Sequence, residues 1–291
     1  MRLRPLIGLC VLLVGPAMAA TDPSQAALAP AVKADYDKHL GGLFDWFHRN
    51  PELSYMETRT AARMAKELRA IPGIEVTEKV GGTGVVGVMK NGAGPTVLVR
   101  ADMDGLPLKE ASGLANASTV VQTGIDGVAS PVMHACGHDV HITSLIGTAL
   151  RLAAMKESWR GTVVFVVQPA EERIGGARKM LEDGLYTRFP KPDYALAFHV
   201  STAAATGTLI ADPGIRYSSS DSVDITIHGV GGHGAAPHQT RDPIVMGAEI
   251  VMALQTLVSR EISPMSPGVS RSGPSMPVPS TTSFPIGLTC N

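Results

Sequence analysis

The sequence has few cysteines, few aromatic residues and no excess of charge of either sign. Three cysteines, Cys10, Cys136 and Cys290, are too few for a disulfide-rich scaffold. Lysine and arginine number 25 and aspartate and glutamate 26, so the net charge of -1 excludes the basic footprint of a nucleic-acid-binding protein. No basic amphipathic stretch indicates binding to a membrane surface. We therefore expect neither nucleic acid nor a membrane as partner.

Residues 1–20 have the three-part pattern of a secretory signal peptide. Two arginines precede the short apolar run Leu6–Val14, and Ala17-Met18-Ala19 fits the small-x-small rule for cleavage. A membrane anchor would need roughly twenty apolar residues, and a Gly-Pro pair interrupts this run. We therefore expect an exported protein, periplasmic or secreted, that has no membrane segment after cleavage.

Segments of helical periodicity alternate with short apolar segments along most of the chain, which is typical of an α/β domain with a mainly parallel sheet. We place this domain at residues 21–215. Strands are predicted at 74–80, 84–90, 96–100, 162–167 and 195–199, and helices at 36–47, 57–70, 141–155 and 176–182. The last three strands are mainly apolar, as in strands buried on both faces.

The pattern changes near residue 216. Asp221–His228 alternates apolar and polar residues, as in a strand covered on one face, and a helix from Pro243 to about Arg260 follows a glycine-rich loop. One strand and one helix do not form a domain alone. We therefore predict that residues 216–264 are the first part of a small inserted α+β domain.

Acidic residues and histidines follow the three buried strands. Asp102 and Asp104 follow the first, Glu171 and Glu172 the second, and His199 ends the third. Because the carboxyl ends of parallel strands share one edge of a sheet, we expect these side chains to meet. Adjacent buried carboxylates are costly without a cation, and one glutamate can ligate a metal while the other acts as a general base. A lone Glu-Glu pair is more commonly a solvated turn.

Two further segments carry histidines. Cys136-Gly137-His138 offers a thiolate and an imidazole, both zinc ligands, and Asp139 or Asp104 could orient an imidazole. Alone, this pair fits a buried cysteine beside a helix cap better. The loop Gly229–His238 carries His233 and His238, either as surface residues or as groups that close over a site.

Several motifs together resemble one family. They are Arg100–Pro107 (RADMDGLP), His134–His141 (HACGHDVH), Gln168–Glu172 (QPAEE), Phe198–His199 and Gly231–His238 (GGHGAAPH), with His48–Leu53 (HRNPEL) before them. In this order they resemble the M20 metallopeptidases, nearest the amidohydrolases of hippurate, N-acetyl-amino acids and auxin conjugates. The resemblance extends from about Tyr36 to about Pro264.

The resemblance implies a zinc-exopeptidase-like catalytic domain that binds two divalent ions of zinc, manganese, cobalt or nickel, with a ferredoxin-like lid and a small N-acyl amino acid as substrate. Its implied metal ligands are Cys136, as a bridge, His138, Glu172 and His199. Glu171 is the implied general base, and Asp102, Asp104 and Asp139 support the ligands. His233 polarises the scissile carbonyl and His238 is a possible substrate contact. A complete lid would also mediate a homodimer.

Residues 265–291 depart from the family pattern. They are rich in serine, proline and threonine, and we predict a disordered tail. Back-translated in a shifted frame, Ser275–Asn291 permits HAGTKHNIVPDRAYLQ, which is close to the family's G-T-K-H-N motif. We therefore hypothesise a frameshift near residues 264–270 and a C-terminally truncated chain that lacks one ligating histidine.

Two other interpretations remain open from the residues. One is a cysteine hydrolase in which Cys136 is the nucleophile and His138 or His141 its base. The other is an inactive remnant that binds a metal or an acyl amino acid without turnover.

Overall fold

The computed structural model describes residues 23–211, 213–214, 219–266, 268–272 and 282–290. The predicted signal peptide lies outside these ranges. The chain divides into two compact units, the first ending at Ala204 and the second beginning at Ala205. This boundary precedes the one predicted at 215/216.

The first unit contains helices and strands close to those predicted. Its helices are α1 (Pro23–Asp35), α2 (Gly41–Arg49), α3 (Thr58–Arg69), α4 (His138–Ala154) and α5 (Gly176–Glu182). Its strands are β1 (Ile74–Val80), β2 (Gly84–Asn91), β3 (Thr96–Asp102), β4 (Val121–Thr123), β5 (Ala129–Pro131), β6 (Gly161–Gln168) and β7 (Tyr194–Ala197). One difference matters for the site: α4 begins at His138, three residues before the predicted start.

The main sheet has five strands in the order β1-β2-β6-β3-β7. β3 pairs in parallel with both β6 and β7, whereas β1 with β2 and β2 with β6 are antiparallel. The α/β class is confirmed, but the sheet is mixed rather than mainly parallel. The reason is the tight turn between β1 and β2, in which Gly81 and Gly82 have φ of 66° and 112°, so the chain reverses without a crossover helix.

Apolar side chains cover both faces of this sheet. On one face, α2, α3 and α4 pack through residues such as Phe47, Leu68 and Ile146 against Phe165 of β6. On the other face, Met180 of α5 packs with valines of β2 and β6. The sheet is thus the middle of three layers, which explains why the central strands are apolar on both faces.

The second unit combines one helix with a small antiparallel sheet. Its helix is α6 (Pro243–Thr256), and its strands are β8 (Ser219–Ile227), β9 (Gly268–Ser272) and β10 (Thr282–Cys290) in the order β8-β10-β9. The side chain of Asp242 caps α6 by accepting a hydrogen bond from the Ile244 amide at 2.8 Å.

Two expectations for this part of the chain need comment. The disordered tail predicted for residues 265–291 stays a prediction, although β9 and β10 lie within it. In β10, the apolar residues Phe284, Ile286 and Leu288 recur at every second position, which is the period of a strand.

By length and composition alone, Pro243–Glu261 is long and apolar enough to cross a membrane, as core helices of soluble proteins can be. The expected lack of a membrane segment stays a prediction.

Replacement of Phe165 by alanine tests the packing of the first unit. The side chain is fully buried in the central strand, so Phe165→Ala removes apolar contacts and leaves a cavity. We expect the free energy of unfolding to fall by about 3–5 kcal/mol in urea denaturation followed by circular dichroism. The control is Leu114→Ala, because Leu114 is 58% exposed, and a comparable loss there would contradict the assigned core.

Candidate metal centre

The candidate ligands gather at one edge of the main sheet. β3, β6 and β7 run parallel, so their carboxyl ends meet at this edge. Asp102 is the last residue of β3, Glu171 and Glu172 follow β6, and His199 follows β7. The amino end of α4 adds His138. The juxtaposition predicted from the strand ends is what the structure contains.

Gly137 sets the approach of Cys136 and His138. It has a φ of 82° immediately before α4, and a Cβ at this position would lie 2.4 Å from Val200 Cγ2. Only glycine fits both the left-handed backbone and this close approach. The sharp turn directs Cys136 to His199, whose Nε2 is 3.3 Å from the cysteine Sγ, while His138 begins the helix.

His138 lies at the centre of the cluster. Its Nε2 is 3.8 Å from Glu171 Oε2, 3.8 Å from Glu172 Oε1 and 3.6 Å from Asp102 Oδ2. Three potential ligand sets share it, each with ligand atoms within 4.8 Å of one another: Cys136, His138 and His199; Asp102, His138 and His141; and His138, Glu171 and Glu172.

Buried polar atoms without hydrogen-bond partners indicate what this cluster suits. They include His138 Nε2 and Glu172 Oε1, which lie 3.8 Å apart. Unpaired buried polar atoms are costly, and a divalent cation would satisfy both. The donors are imidazole, carboxylate and thiol, which suit zinc and its first-row neighbours. The residues present therefore fit a metal centre.

Two histidines have their rings fixed by backbone carbonyls. His138 Nδ1 donates to the Asp104 carbonyl at 2.8 Å, and His199 Nδ1 donates to the Val200 carbonyl at 2.6 Å. In each neutral ring the lone pair therefore belongs to Nε2, the atom that faces the cluster. Hydrogen bonds to the backbone therefore hold both imidazole rings in the orientation that metal ligation needs.

The electrostatics of the cluster favour a cation. Burial raises the pKa of Cys136 to about 12, and the nearby Glu172 charge acts in the same direction. Burial also raises the pKa of Glu172, assisted by Glu171 and Asp104. Burial lowers the pKa of His138, but its contacts with Asp104 and Asp102 outweigh this and raise the pKa to about 8. Like charges thus crowd one volume that a metal ion would neutralise.

Asp102 and Asp104 both lie beside His138, and their predicted supporting role stays a prediction. Asp104 Oδ2 accepts hydrogen bonds from Ser54 Oγ at 2.6 Å and from the Glu172 amide at 3.1 Å. Burial opposes ionisation of Asp102, but His141 and Arg100 hold its pKa well below the usual value. His141 donates from Nδ1 to Asp102 at 2.7 Å and accepts from the Val200 amide at 3.1 Å, so it fixes the segment that carries His199.

Asp139 does not orient a candidate ligand directly, and this part of the expectation is wrong. Its carboxylate binds His48 Nδ1 at 2.7 Å, and the other ring nitrogen, Nε2, lies 3.2 Å from Glu110. Burial lowers the pKa of His48, but Asp139 and then Glu110 raise it overall. Asp139 projects toward α2 because it follows His138 by one position on α4. Successive residues on a helix point in different directions, so the place of Asp139 directly after His138 could have indicated that Asp139 faces away from the cluster.

His233 and His238 belong to the second unit, apart from the residues of the cluster. Both are exposed. His233 Nδ1 accepts a hydrogen bond from the Ala235 amide at 3.1 Å, and His238 lies in the short turn Pro237–Gln239. Their predicted roles stay predictions.

Comparison with known proteins identifies the family of the chain that carries this cluster. The model of peptidase family M20/M25/M40 matches residues 98–285, more than half of the chain. The chain belongs to peptidase family M20/M25/M40. The match includes the cluster and continues past Pro264, where the sequence resemblance was expected to stop.

Relatives in this family agree with the match. Hippurate hydrolase of Campylobacter jejuni is 41% identical over 223 residues, covering 76% of this chain and 55% of that protein. A solved structure from methicillin-resistant Staphylococcus aureus has a TM-score of 0.73 at 33% identity, covering 92% of this chain and 69% of that one. The Bacillus subtilis YXEP protein, described as a dinuclear metal-binding M20 peptidase, has a TM-score of 0.63 at 29% identity, covering 88% and 65%.

The M20 chain is shorter than these relatives. It spans just over half the length of the curated relatives it matches, 55% and 54% for two of them. Among the residues that the structure describes, the side chains of the cluster come from residues 102–199 of the first unit.

Metal binding should release protons. At pH 7 a histidine with a pKa of about 8 and a thiol with a pKa of about 12 are both protonated. Ligation as neutral imidazole and thiolate therefore expels about two protons from His138 and Cys136, and affinity falls as the pH is lowered. Zinc titration calorimetry in buffers of different ionisation enthalpy measures this number. Cys136→Ala should release about one proton fewer, and equal release would contradict thiolate ligation.

Proposed function

We propose that this M20 chain is the catalytic part of a metal-dependent amidohydrolase that cleaves N-acyl amino acids of the hippurate type. The observation that carries the proposal is the position of Glu171, which lies beside a buried cluster of unpaired ligand atoms and still reaches solvent. Hippurate hydrolase is a relative at 41% identity, which supports the substrate class.

The two adjacent glutamates have different surroundings, which supports different roles. The Glu172 side chain is 19% exposed and its Oε1 is buried without a partner, as suits a ligand. The Glu171 side chain is 40% exposed, as suits a group that exchanges protons with water. Both carboxylates lie 3.8 Å from the same His138 nitrogen, so a ligand and a base stand side by side.

Two divalent ions of zinc, manganese, cobalt or nickel would supply Lewis-acid polarisation of the amide carbonyl and of water. Cys136, His138, Glu172 and His199 would hold them. Glu171 takes a proton from the attacking water and returns it to the departing amine nitrogen, so that no covalent intermediate is needed. Asp104 holds the Glu172 amide and Ser54, which keeps the ligand in place during this transfer.

The remaining elements of the proposal rest on the sequence. We include export through residues 1–20, a carbonyl contact by His233, a substrate contact by His238, and dimerisation through a complete lid. His233 Nδ1 accepts a hydrogen bond from the Ala235 amide, so in the neutral ring Nε2 carries the proton, and this supports a role as donor to an oxyanion.

The cysteine-hydrolase alternative is disfavoured by electrostatics. A nucleophilic cysteine needs a lowered pKa, whereas burial and Glu172 raise the pKa of Cys136 to about 12. A remnant that binds metal without turnover stays an alternative, and the assay of hydrolysis separates it from the proposal.

Glu171→Gln and Glu172→Gln separate catalysis from binding. In the zinc- or manganese-loaded chain we expect Glu171→Gln to lower hydrolysis of hippurate by about 100- to 10,000-fold while metal affinity stays nearly unchanged, because only the base is lost. Glu172→Gln should weaken metal binding as well. Amine release is assayed on a panel of N-acyl amino acids, and metal affinity is measured by competition with a chromophoric chelator.

Three controls decide among the alternatives. Inactivation by a chelator without any effect of thiol alkylation on the loaded form excludes the cysteine nucleophile. Metal binding by the unaltered chain with no hydrolysis on the panel would favour the non-catalytic remnant. Hydrolysis that survives complete metal removal would overturn the proposal.

A further inference from the structure

Glu57 is a buried carboxylate outside the metal cluster that joins three separate segments of the first unit. Its side chain has no exposed surface. One oxygen, Oε1, accepts hydrogen bonds from the Tyr55 amide at 2.9 Å and the Ala170 amide at 2.7 Å. The other, Oε2, accepts from Thr83 Oγ1 at 2.6 Å. Thr83 belongs to the turn between β1 and β2, and Ala170 to the loop after β6.

Ala170 is the residue directly before the catalytic glutamate pair, and its backbone is unusual. It has a φ of 46° and is completely buried. A residue with a Cβ rarely adopts this left-handed conformation and keeps it only when its surroundings enforce it. In this conformation the Ala170 amide points to Glu57.

Further contacts within the loop restrict the backbone around Ala170. The Ala170 carbonyl accepts from the Gly176 amide at 3.2 Å, and the Glu171 carbonyl accepts from the Ile174 amide at 2.8 Å. A Cβ on Gly176 would lie 1.6 Å from the Pro169 carbonyl oxygen. The direction of the two glutamate side chains therefore depends on the conformation at Ala170, where Glu57 supplies the acceptor.

We propose that Glu57 is a positioning residue that holds Ala170 in its left-handed conformation, so that Glu171 and Glu172 are directed at the metal centre. This inference rests on the proposed function for its consequence, since a displaced glutamate pair weakens metal binding and removes the base. The contacts themselves belong to the first unit alone. The hydrogen bonds of the Glu57 carboxylate go to Tyr55, Thr83 and Ala170, so it acts on the glutamate pair through the Ala170 amide.

Glu52 provides a matched control in the same segment. It is also buried, and its carboxylate also accepts two backbone amides, from Arg59 at 3.1 Å and Thr60 at 2.7 Å. These amides begin α3 and lie away from the loop after β6. Loss of Glu52 should therefore destabilise the fold without disturbing the glutamate pair.

The experiment compares Glu57→Leu, Glu57→Gln and Glu52→Leu in the full chain. We measure the melting temperature, the amide hydrogen exchange of the peptide spanning Ala170–Gly176, and zinc affinity. Glu57→Leu should raise exchange in this peptide by about 10-fold or more and weaken zinc binding by about 10-fold or more. Glu57→Gln retains an oxygen for both amides and should keep both values within about threefold. Glu52→Leu should lower only the melting temperature.

Each outcome decides the inference. If Glu57→Leu lowers the melting temperature but leaves exchange and zinc affinity as in Glu52→Leu, the role is merely structural and the proposal is overturned. If Glu57→Leu does not fold, Glu57→Asp replaces it, because aspartate is also a carboxylate but its side chain is one methylene shorter. Unchanged hydrogen exchange in Glu57→Asp would also overturn the proposal. If the unaltered chain binds no zinc, the proposed function fails separately, and exchange alone still decides whether Glu57 holds the turn.

Discussion

The crowding of like charges at one edge of the main sheet is the constraint on which the site depends. Asp102, Asp104, Glu171 and Glu172 all lie around His138, and two of the four side chains are almost fully buried. Such a set is unfavourable in a folded chain without positive charge. His138 and Arg100 compensate partly, and the orphaned atoms that remain mark the volume where a cation would complete the balance.

The rest of the first unit serves to hold these groups against their mutual repulsion. Backbone carbonyls fix two imidazoles, a glycine without space for a side chain starts α4, and buried carboxylates accept amides from loops that have no sheet partner. Two imidazoles of the cluster are held by backbone carbonyls, which every residue supplies whatever its side chain. The geometry of the cluster therefore depends on loop conformation as much as on residue identity.

Much of this was predictable from the sequence, and the limits have physical causes. Strand ends placed the Glu171–Glu172 pair and His199 at one edge, since apolar runs followed by acids and histidines leave a clear local pattern, whereas the assignment of Cys136, His138, Glu172 and His199 as ligands came from the family resemblance. The antiparallel pairing of β1 and β2 was missed because the residue pattern of a strand does not show the direction in which the strand runs in the sheet. Glu57 and the Asp139–His48–Glu110 chain were missed because their partners lie far along the chain, up to 113 residues away for Glu57 and Ala170. Long-range pairing of single polar residues leaves no periodicity to detect.

The order in which the ligands occur along the chain has a consequence for biosynthesis. Cys136 and His138 emerge first, Glu172 next, and His199 last, on the segment that follows the edge strand β7. His199 reaches Cys136 only when β7 has paired with β3, and that pairing spans about a hundred residues of intervening chain. A nascent chain thus exposes a lone thiol and imidazole long before it can enclose a cation. A site that includes both Cys136 and His199 is therefore complete only when the edge strand β7 has paired with β3.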